Sequence, residues 1–84
     1  MLEDRLLTQQ KVVGLKQLRK ALLAGRVSEA FLADDADPAV TAPVEELCAQ
    51  TGVPVTHVET MQRLGSLCRI HVGAACAGIL RPSL

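Results

Sequence analysis

Apolar residues recur at helical spacing shortly after the start of the chain. Leu15, Leu18 and Leu22 stand at i, i+3 and i+7, so their side chains form a stripe along one side of a helix. Gly25 follows at the position where a C-terminal cap belongs. The pattern predicts a helix over residues 15–24.

A second helical stripe follows an acidic turn. It consists of Val40, Val44, Leu47 and Cys48. Asp37 is a suitable N-cap, and Pro38 suits the first helical position. Pro43 lies inside the stripe, where its ring removes a hydrogen-bond donor and crowds the preceding turn. We therefore expect one turn at residues 38–41 and a separate, better helix at 42–50.

Two more helices are predicted from the same spacing. Leu2, Leu6 and Leu7 suit a short opening helix, and Met61, Leu64, Leu67 and Cys68 form a last stripe that Thr60 can cap. Short apolar runs between turn residues predict strands at residues 11–13, 27–33, 53–58 and 74–80. Helices and strands therefore alternate along the whole chain.

Strands that are separated by helices cannot pair as tight hairpins, so crossover connections are required. The expected fold class is α/β, a three-layer α/β/α sandwich with a four-stranded mixed sheet. A chain of 84 residues has room for one core, and we expect a single domain over residues 1–84.

Composition excludes several classes of protein. Hydrophobic residues make up 49% of the chain, which is too many for a disordered tail. The longest apolar run, residues 72–80, is about half of the roughly 20 residues that a membrane helix needs, and the first ten residues carry charges without a secretory signal. We expect a cytoplasmic protein. Its three cysteines form no C-x-x-C pair, which favours reduced, buried thiols over disulfides or a metal site.

Charge is segregated although the net charge is zero. Residues 11–26 contain five basic side chains and no acidic one, whereas residues 27–60 contain seven acidic side chains and no Lys or Arg. Arg63, Arg69 and Arg81 follow. The two basic parts would create a cationic edge if they meet in space, but such blocks also occur simply as solvated helix faces.

The junction between the first strand and the next helix has unusual chemistry. Ligands of open α/β sheets bind at such junctions, and exposed N–H groups at a helix start favour phosphate. Gly14 ends the strand, and Lys16, Gln17 and Lys20 lie off the leucine stripe. Lysine can donate to guanine, and glutamine can donate and accept. An ordinary solvated helix face is the alternative interpretation.

Residues 58–61 form a second junction of the same kind, Val-Glu-Thr-Met. Its apolar members suit the cover of an unstacked base, although a place in the core is the more usual role of side chains such as Val58 and Met61. With Phe31 as the one aromatic residue, the chain has no platform for stacking successive bases, which excludes RRM and OB-fold modes of binding.

The runs VGLKQLRKALLAG, ADDADP, VETMQRLG and VGAACAGIL occur in this order along the chain. Together they resemble the kink-turn RNA-binding ribosomal protein family, the L7Ae family, and within it the short bacterial YbxF-type branch. The resemblance covers roughly residues 11–80. It implies the same three-layer sandwich and a non-catalytic protein that binds the bent RNA element with tandem sheared G·A pairs.

The resemblance also implies which residues bind RNA. Lys16 and Gln17 correspond to the pair that reads the G·A stem, and residues 58–61 to the loop that covers an extruded nucleotide, with residues 72–74 in the neighbouring turn. The expected RNA-binding residues are Gly14, Leu15, Lys16, Gln17, Lys20, Val58, Glu59, Thr60, Met61, Arg69, Gly73 and Ala74. Two positions depart from the family pattern: Arg69 stands where a glycine is expected, and Gly78 where a β-branched residue is usual.

The expected function is therefore recognition and stabilisation of kink-turn RNA, in ribosomal RNA or a riboswitch. We expect a monomer without cofactor or metal that is associated with the ribosome or bound to a structured RNA. An interaction module that docks a basic partner through the acidic middle segment is the alternative. An enzyme is disfavoured because His57 and His71 have no nucleophile or carboxylate at motif spacing. Asp34, Asp35 and Asp37 suit caps and solvation better than metal binding.

Overall fold

The computed structural model describes residues 10–81, and the predicted opening helix lies outside this part of the chain. Four strands and three helices alternate along it. In chain order they are β1 (Lys11–Val13), α1 (Leu15–Leu23), β2 (Val27–Ala33), α2 (Pro38–Thr51), β3 (Val55–Val58), α3 (Met61–Leu67) and β4 (Cys76–Leu80).

The four strands form one mixed sheet in the order β1-β4-β2-β3. β4 runs antiparallel to both β1 and β2, whereas β2 and β3 are parallel and connected through α2. The last strand of the chain is therefore inserted between the first two. This mixed four-stranded sheet confirms the prediction.

Each face of the sheet is covered by a separate apolar cluster. Phe31 and Ala33 of β2 pack with residues of α3, such as Leu64, on one face. Ala30 and Leu32, the alternate residues of the same strand, pack with residues of α1 and α2 on the other face. Because successive side chains of a strand point to opposite sides, β2 contributes to both clusters. The result is the predicted three-layer α/β/α sandwich.

The predicted interruption at Pro43 is wrong, since α2 is one continuous helix from Pro38 to Thr51. Proline removes the donor for the carbonyl of Ala39, four residues earlier, and its ring crowds the same carbonyl, but Ala39 is exposed so that water can reach this acceptor. Val44 and Cys48, which follow on the same side of the helix, are fully buried. The burial of this stripe holds the helix together across the proline.

β3 and β4 each begin two residues later than predicted. The N–H of Val53 donates to the Cys48 carbonyl of the preceding helix, and the N–H of Ala74 donates to the carbonyl of Met61. A backbone donor that is already bonded outside the sheet cannot extend a strand ladder. Hydrophobic pattern alone does not reveal this competition.

Within residues 10–81, the structure contains no helix that is both long and apolar enough to cross a membrane.

Candidate functional site

The ends of three strands meet the start of the fourth at one edge of the sheet. Val13 at the end of β1 is paired with Ala77 near the start of β4, and Ala33 at the end of β2 is paired with Val58 at the end of β3. We call this boundary the ligand edge. It is the edge from which α1 and α3 begin, on opposite faces of the sheet.

Two backbone hydrogen bonds bring both predicted junctions to the same short segment of chain. The N–H of Gly14 donates to the carbonyl of Cys76 at 2.9 Å, and the N–H of Ala74 donates to the carbonyl of Met61 at 3.0 Å. The start of α1 and the start of α3 therefore both border residues 74–76. Gln17 and Thr60 lie at the same end of the molecule.

The start of α1 is open. Gly14 precedes the helix with φ 97°, a conformation in the left-handed half of the backbone map, and no side chain caps the first turn. This turn contains no acidic residue and instead carries the exposed Lys16 and Gln17. The first N–H groups of a helix have no partner within it, so they are available to an external acceptor, and the helix dipole and Lys16 both favour an anion there.

The exposed and buried sides of α1 agree with its amphipathic pattern. Leu18, Ala21 and Leu22 are buried against the sheet, whereas Lys16, Gln17 and Lys20 are exposed. Leu15 is the exception in the predicted stripe, because 39% of it remains exposed. It lies directly beside Gly14 at the ligand edge, and this position leaves it outside the core.

The other two helices start with side-chain caps. Asp37 accepts a hydrogen bond from the N–H of Ala39 at 2.9 Å, as predicted. Thr60, also as predicted, accepts from the N–H of Arg63 at 3.0 Å. Asp35 adds a contact that the sequence did not indicate, in which its Oδ1 accepts from the N–H of Met61 at 2.7 Å. Among the described helices, α1 alone therefore starts without a side-chain acceptor.

Apolar side chains are also exposed on the segments that border residues 74–76. Large hydrophobic residues that remain exposed include Leu15, Met61 and Val72, and the last is 70% exposed. Gly73 allows the turn at residues 72–74 to lie against α3, since a Cβ atom at Gly73 would lie 3.2 Å from the Cβ of Met61. The ligand edge thus combines cationic, amide and apolar groups.

Two predicted contact residues belong to the core instead. Val58 is 5% exposed and Ala74 is 4% exposed, and both pack in the cluster beneath α3. Their side chains face the protein interior, so they support the loop rather than line its surface. Glu59, Thr60 and Met61 are the members of the second junction that reach solvent at least in part.

Arg69 is not brought to the ligand edge. It follows the C-terminal end of α3, and about eight residues of helical rise, roughly 12 Å, separate it from Thr60. The chain then returns along α3, with the Val72 carbonyl against Gly65 and Gly73 against Met61. Of the predicted RNA-binding residues, Arg69, which departs from the family pattern, is the one that the structure places apart from the others.

Carboxylates near the ligand edge have internal partners. Oδ1 of Asp34 lies 2.9 Å from Nδ1 of His57, and Nε2 of the same ring lies 3.4 Å from a carboxylate oxygen of Glu45 on α2. The sequence did not indicate this chain of groups, because it depends on the parallel pairing of β2 with β3. It directs Asp34 toward β3 and away from the start of α1.

All three cysteines are free and buried, as predicted. Burial raises the pKa of each thiol, to about 11 for Cys76. Thiols with such pKa values are protonated at neutral pH and are poor nucleophiles and metal ligands. Within residues 10–81, no cluster of histidine, cysteine and carboxylate side chains is arranged to hold a metal ion.

Comparison with known proteins assigns the chain to a family. The sequence model of the ribosomal protein L7Ae/L30e/S12e/Gadd45 family matches residues 2–83. The chain belongs to this family. The match spans every element described above, from β1 to β4, and it confirms the resemblance that the ordered motifs indicated.

Two relatives within the L7Ae family are bacterial proteins of nearly the same length as this chain. An RNA-binding protein of Geobacillus sp. (strain WCH70) is 46% identical over 70 residues, which are 83% of this chain and 85% of the relative. The RNA-binding protein YbxF of Geobacillus stearothermophilus is 43% identical over 70 residues, with the same coverage of 83% and 85%. The predicted YbxF-type branch is thereby confirmed.

A solved structure supports the fold of this L7Ae family member. The 15.5kD RNA binding protein of Giardia lamblia superposes with a TM-score of 0.85 at 23% identity, covering 98% of this chain and 69% of the other. At this identity the likeness concerns the fold. The family is one of ribosomal proteins, and both bacterial relatives named above are RNA-binding proteins. This family is non-enzymatic, which confirms the prediction that the chain is not an enzyme.

Proposed function

We propose that this protein binds RNA and stabilises a kink-turn, the bent element whose stem carries tandem sheared G·A pairs. The single observation that carries the proposal is the juxtaposition at the ligand edge. The uncapped start of α1, with Lys16 and Gln17, and the start of α3, with the exposed Met61, both border residues 74–76, and the exposed Val72 lies two residues before this segment. Family membership and the names of the relatives support RNA as the ligand.

The start of α1 is suited to a stem with exposed base edges. Lys16 can donate to the O6 and N7 acceptors of guanine, and Gln17 can both donate and accept, which matches the mixed edge of an adenine. Lys20 lies one turn further along the same exposed face and supplies a charge for phosphate. Base contacts provide specificity here, and phosphate contacts provide salt-sensitive affinity.

The apolar part of the ligand edge is suited to an unstacked nucleotide. RNA-binding proteins commonly recognise bases that are extruded from a helix. Phe31, the one aromatic residue of the chain, is fully buried, so stacking on an aromatic ring is not available. Met61 and Val72 instead offer aliphatic contact to the face of one base.

The mechanism follows from differential affinity. A kink-turn exchanges between extended and bent forms, and a protein that binds only the bent form shifts the population toward it. No bond in the RNA is made or broken. Ribosomal RNA and riboswitches are the candidate hosts of such an element, and a place on the ribosome, a monomeric state and a cytoplasmic location belong to the same proposal.

Comparison of two RNA stems tests the function. The wild-type protein is expected to bind a kink-turn stem tightly and to lose most of this affinity when the G·A pairs are converted to Watson–Crick pairs. Lys16→Ala should weaken binding to the G·A stem by about 1–3 kcal/mol, the range known for a bidentate base contact in DNA. Isothermal titration or filter binding across a salt series measures both effects.

Arg26→Ala is the matched control for Lys16→Ala, because it removes one exposed positive charge outside the proposed base contacts. On stems that continue beyond the G·A pairs, it should weaken binding less than Lys16→Ala does and should affect the G·A and Watson–Crick stems alike. If wild-type protein binds the G·A and Watson–Crick stems equally, kink-turn recognition is wrong. If Lys16→Ala and Arg26→Ala weaken both stems to the same extent, the role of Lys16 in reading bases is wrong.

The alternative, docking of a basic protein on the acidic middle segment, finds no comparable support. Several of these carboxylates are engaged within the molecule: Asp35 and Asp37 bind helix N–H groups, Asp34 and Glu45 bind His57, and Glu29 accepts from the hydroxyl of Thr56. A carboxylate with an internal partner offers less to an external cation. RNA binding therefore remains the function that the geometry supports best.

A further inference from the structure

A shallow groove of about 180 Å³ runs beside α1, away from the ligand edge. Its apolar lining includes Val12, Ala21 and Leu80, which are buried or half-buried. Its polar lining consists of Gln17, Lys20 and Arg26, all of which are exposed. The groove begins at two residues of the proposed RNA site and ends at the opposite end of the sheet.

The charge of this groove has one sign. None of the described residues that line it is acidic. Arg81 adds a third cationic residue next to it, because the N–H of Arg81 donates to the carbonyl of Arg26 at 2.6 Å. The basic parts of the sequence that precede and follow the acidic segment thus meet here, although the chain as a whole is neutral.

The groove on the other side of α1 is different. It is larger, about 450 Å³, and Arg19 on α1 lies in its lining together with Glu46 on α2. Among the described residues, one helix therefore separates a groove lined by charges of both signs from a groove whose charged residues are only positive. This asymmetry is the reason to assign a polyanion to the groove that contains Arg26.

The small size of the cationic groove indicates that its ligand is the phosphate backbone of a nucleic acid rather than an enclosed small molecule. Small-molecule sites usually have volumes of roughly 300–1,000 Å³, well above that of this groove. From Gln17 to Ala24 it follows α1 for about 10 Å, the length of several phosphates along a nucleic-acid strand. An open, elongated surface with three cations suits successive phosphates.

We propose that the groove formed by Gln17, Lys20 and Arg26, together with Arg81, holds the phosphate backbone of the RNA stem beyond its G·A pairs. This inference rests on the proposed function, since it continues the same stem from the start of α1 toward Arg26. Lys20 is shared by the two surfaces. The contacts are to phosphate, so they contribute affinity but no sequence preference.

The proposed phosphate contacts are tested by varying the length of the RNA stem and by removing the charges of the groove. Two kink-turn RNAs are compared, one whose G·A stem ends just beyond the G·A pairs and one in which this stem continues for about one further helical turn. Affinity scales with salt to the power of about −0.7 to −0.9 per phosphate contact, so each contact is worth about 5- to 8-fold at 0.1 M salt relative to 1 M. At 0.1 M salt, wild-type protein should therefore bind the long stem at least 5-fold more tightly than the short stem.

Arg26→Gln and the double variant Arg26→Gln with Arg81→Gln should lose this preference in steps, with a salt slope on the long stem that falls by about 0.7–0.9 per residue. Their affinity for the short stem should remain that of the wild type. Arg19→Gln is the matched control, since it removes the same charge from the opposite side of α1. Circular dichroism and thermal melting verify that each variant is folded.

The inference is overturned if wild-type protein binds both stem lengths equally, or if Arg19→Gln lowers the preference for the long stem as much as Arg26→Gln does. In the first case the groove has no phosphate contact, and in the second only the total charge matters. The proposed function fails by a different measurement. It is wrong if wild-type affinity is unchanged when the G·A pairs are converted to Watson–Crick pairs.

Discussion

Arg69 adopts a left-handed backbone conformation that residues with a side chain disfavour. Its φ of 61° is the one positive φ among the described non-glycine residues. The N–H of Arg69 donates to Ser66 and the N–H of Ile70 donates to Gly65, which together form a Schellman motif at the end of α3. Glycine is preferred at this position because the left-handed conformation crowds a Cβ atom.

Arg69→Gly should therefore stabilise the fold. The left-handed conformation costs an L-residue roughly 1–2 kcal/mol, and the greater freedom of glycine in the unfolded chain offsets part of this gain. We expect an increase of about 0.5–1 kcal/mol in the free energy of unfolding, or roughly 2–8 °C in Tm. Urea titration and thermal melting measure the change.

Arg69→Ala separates backbone conformation from charge. It removes the guanidinium but keeps a Cβ atom, so its stability should stay close to that of the wild type. An equal gain in Arg69→Ala and Arg69→Gly would show that charge, rather than φ, limits stability at this position. The expectation of a glycine here came from family resemblance, and the structure supplies its physical reason.

At the scale of secondary-structure elements, the packing of α1 on β4 depends on Gly78. A Cβ atom at this position would lie 2.5 Å from Cδ1 of Leu18 and 3.4 Å from Cγ1 of Val27. Leu18 is fully buried, so it has little space into which it can move. The glycine that departs from the family pattern thus allows α1, which carries Lys16 and Gln17, to lie close to the sheet.

Gly78→Val should destabilise the protein by about 1–3 kcal/mol, because added core volume forces neighbouring side chains out of their rotamers. Leu18→Ala alone should cost about 2–5 kcal/mol through loss of packing. In the double variant the valine can fill the space that leucine leaves, so the double should be more stable than the sum of the single effects predicts. Urea unfolding of the four proteins gives this coupling. Strictly additive effects would contradict direct contact between the two positions.

Some helix ends can be predicted from the residues next to them. Asp37 and Thr60 act at the helix starts where the sequence placed them, because a cap depends on neighbours a few residues away. Pro43 misled the prediction of α2, because its local effect is outweighed by burial of Val44 and Cys48 against the sheet. Packing between elements is not visible in the sequence of one element.

At the scale of the whole molecule, Asp35 links the turn after β2 to the start of α3. Its carboxylate accepts from the N–H of Met61, and the N–H of the neighbouring Asp34 donates to the carbonyl of Val58 at 2.7 Å. The acidic turn therefore fixes the loop at residues 58–61. A side chain outside the predicted RNA-binding set can in this way determine the shape of the proposed RNA surface.

Asp35→Ala should cost about 1 kcal/mol of stability, as loss of a helix-end acceptor usually does, and should also weaken binding of kink-turn RNA. Asp37→Ala is the matched control, because it removes a similar cap from α2, which carries none of the predicted binding residues. It should lower stability by a similar amount and leave affinity for the RNA unchanged. Equal loss of affinity in the two variants would show that global stability, rather than the shape of the loop, is responsible.

The alternation of helices and strands, the exposed face of α1 and the chemistry of its first turn can be read from the sequence, because these features depend on residues that are close together in the chain. The burial of Val58 and Ala74, the distance of Arg69 from the ligand edge and the contact of Arg26 with Arg81 become visible in the folded molecule. They depend on the order of the strands in the sheet. Insertion of β4 between β1 and β2 brings distant segments together, and short-range spacing carries no information about this insertion.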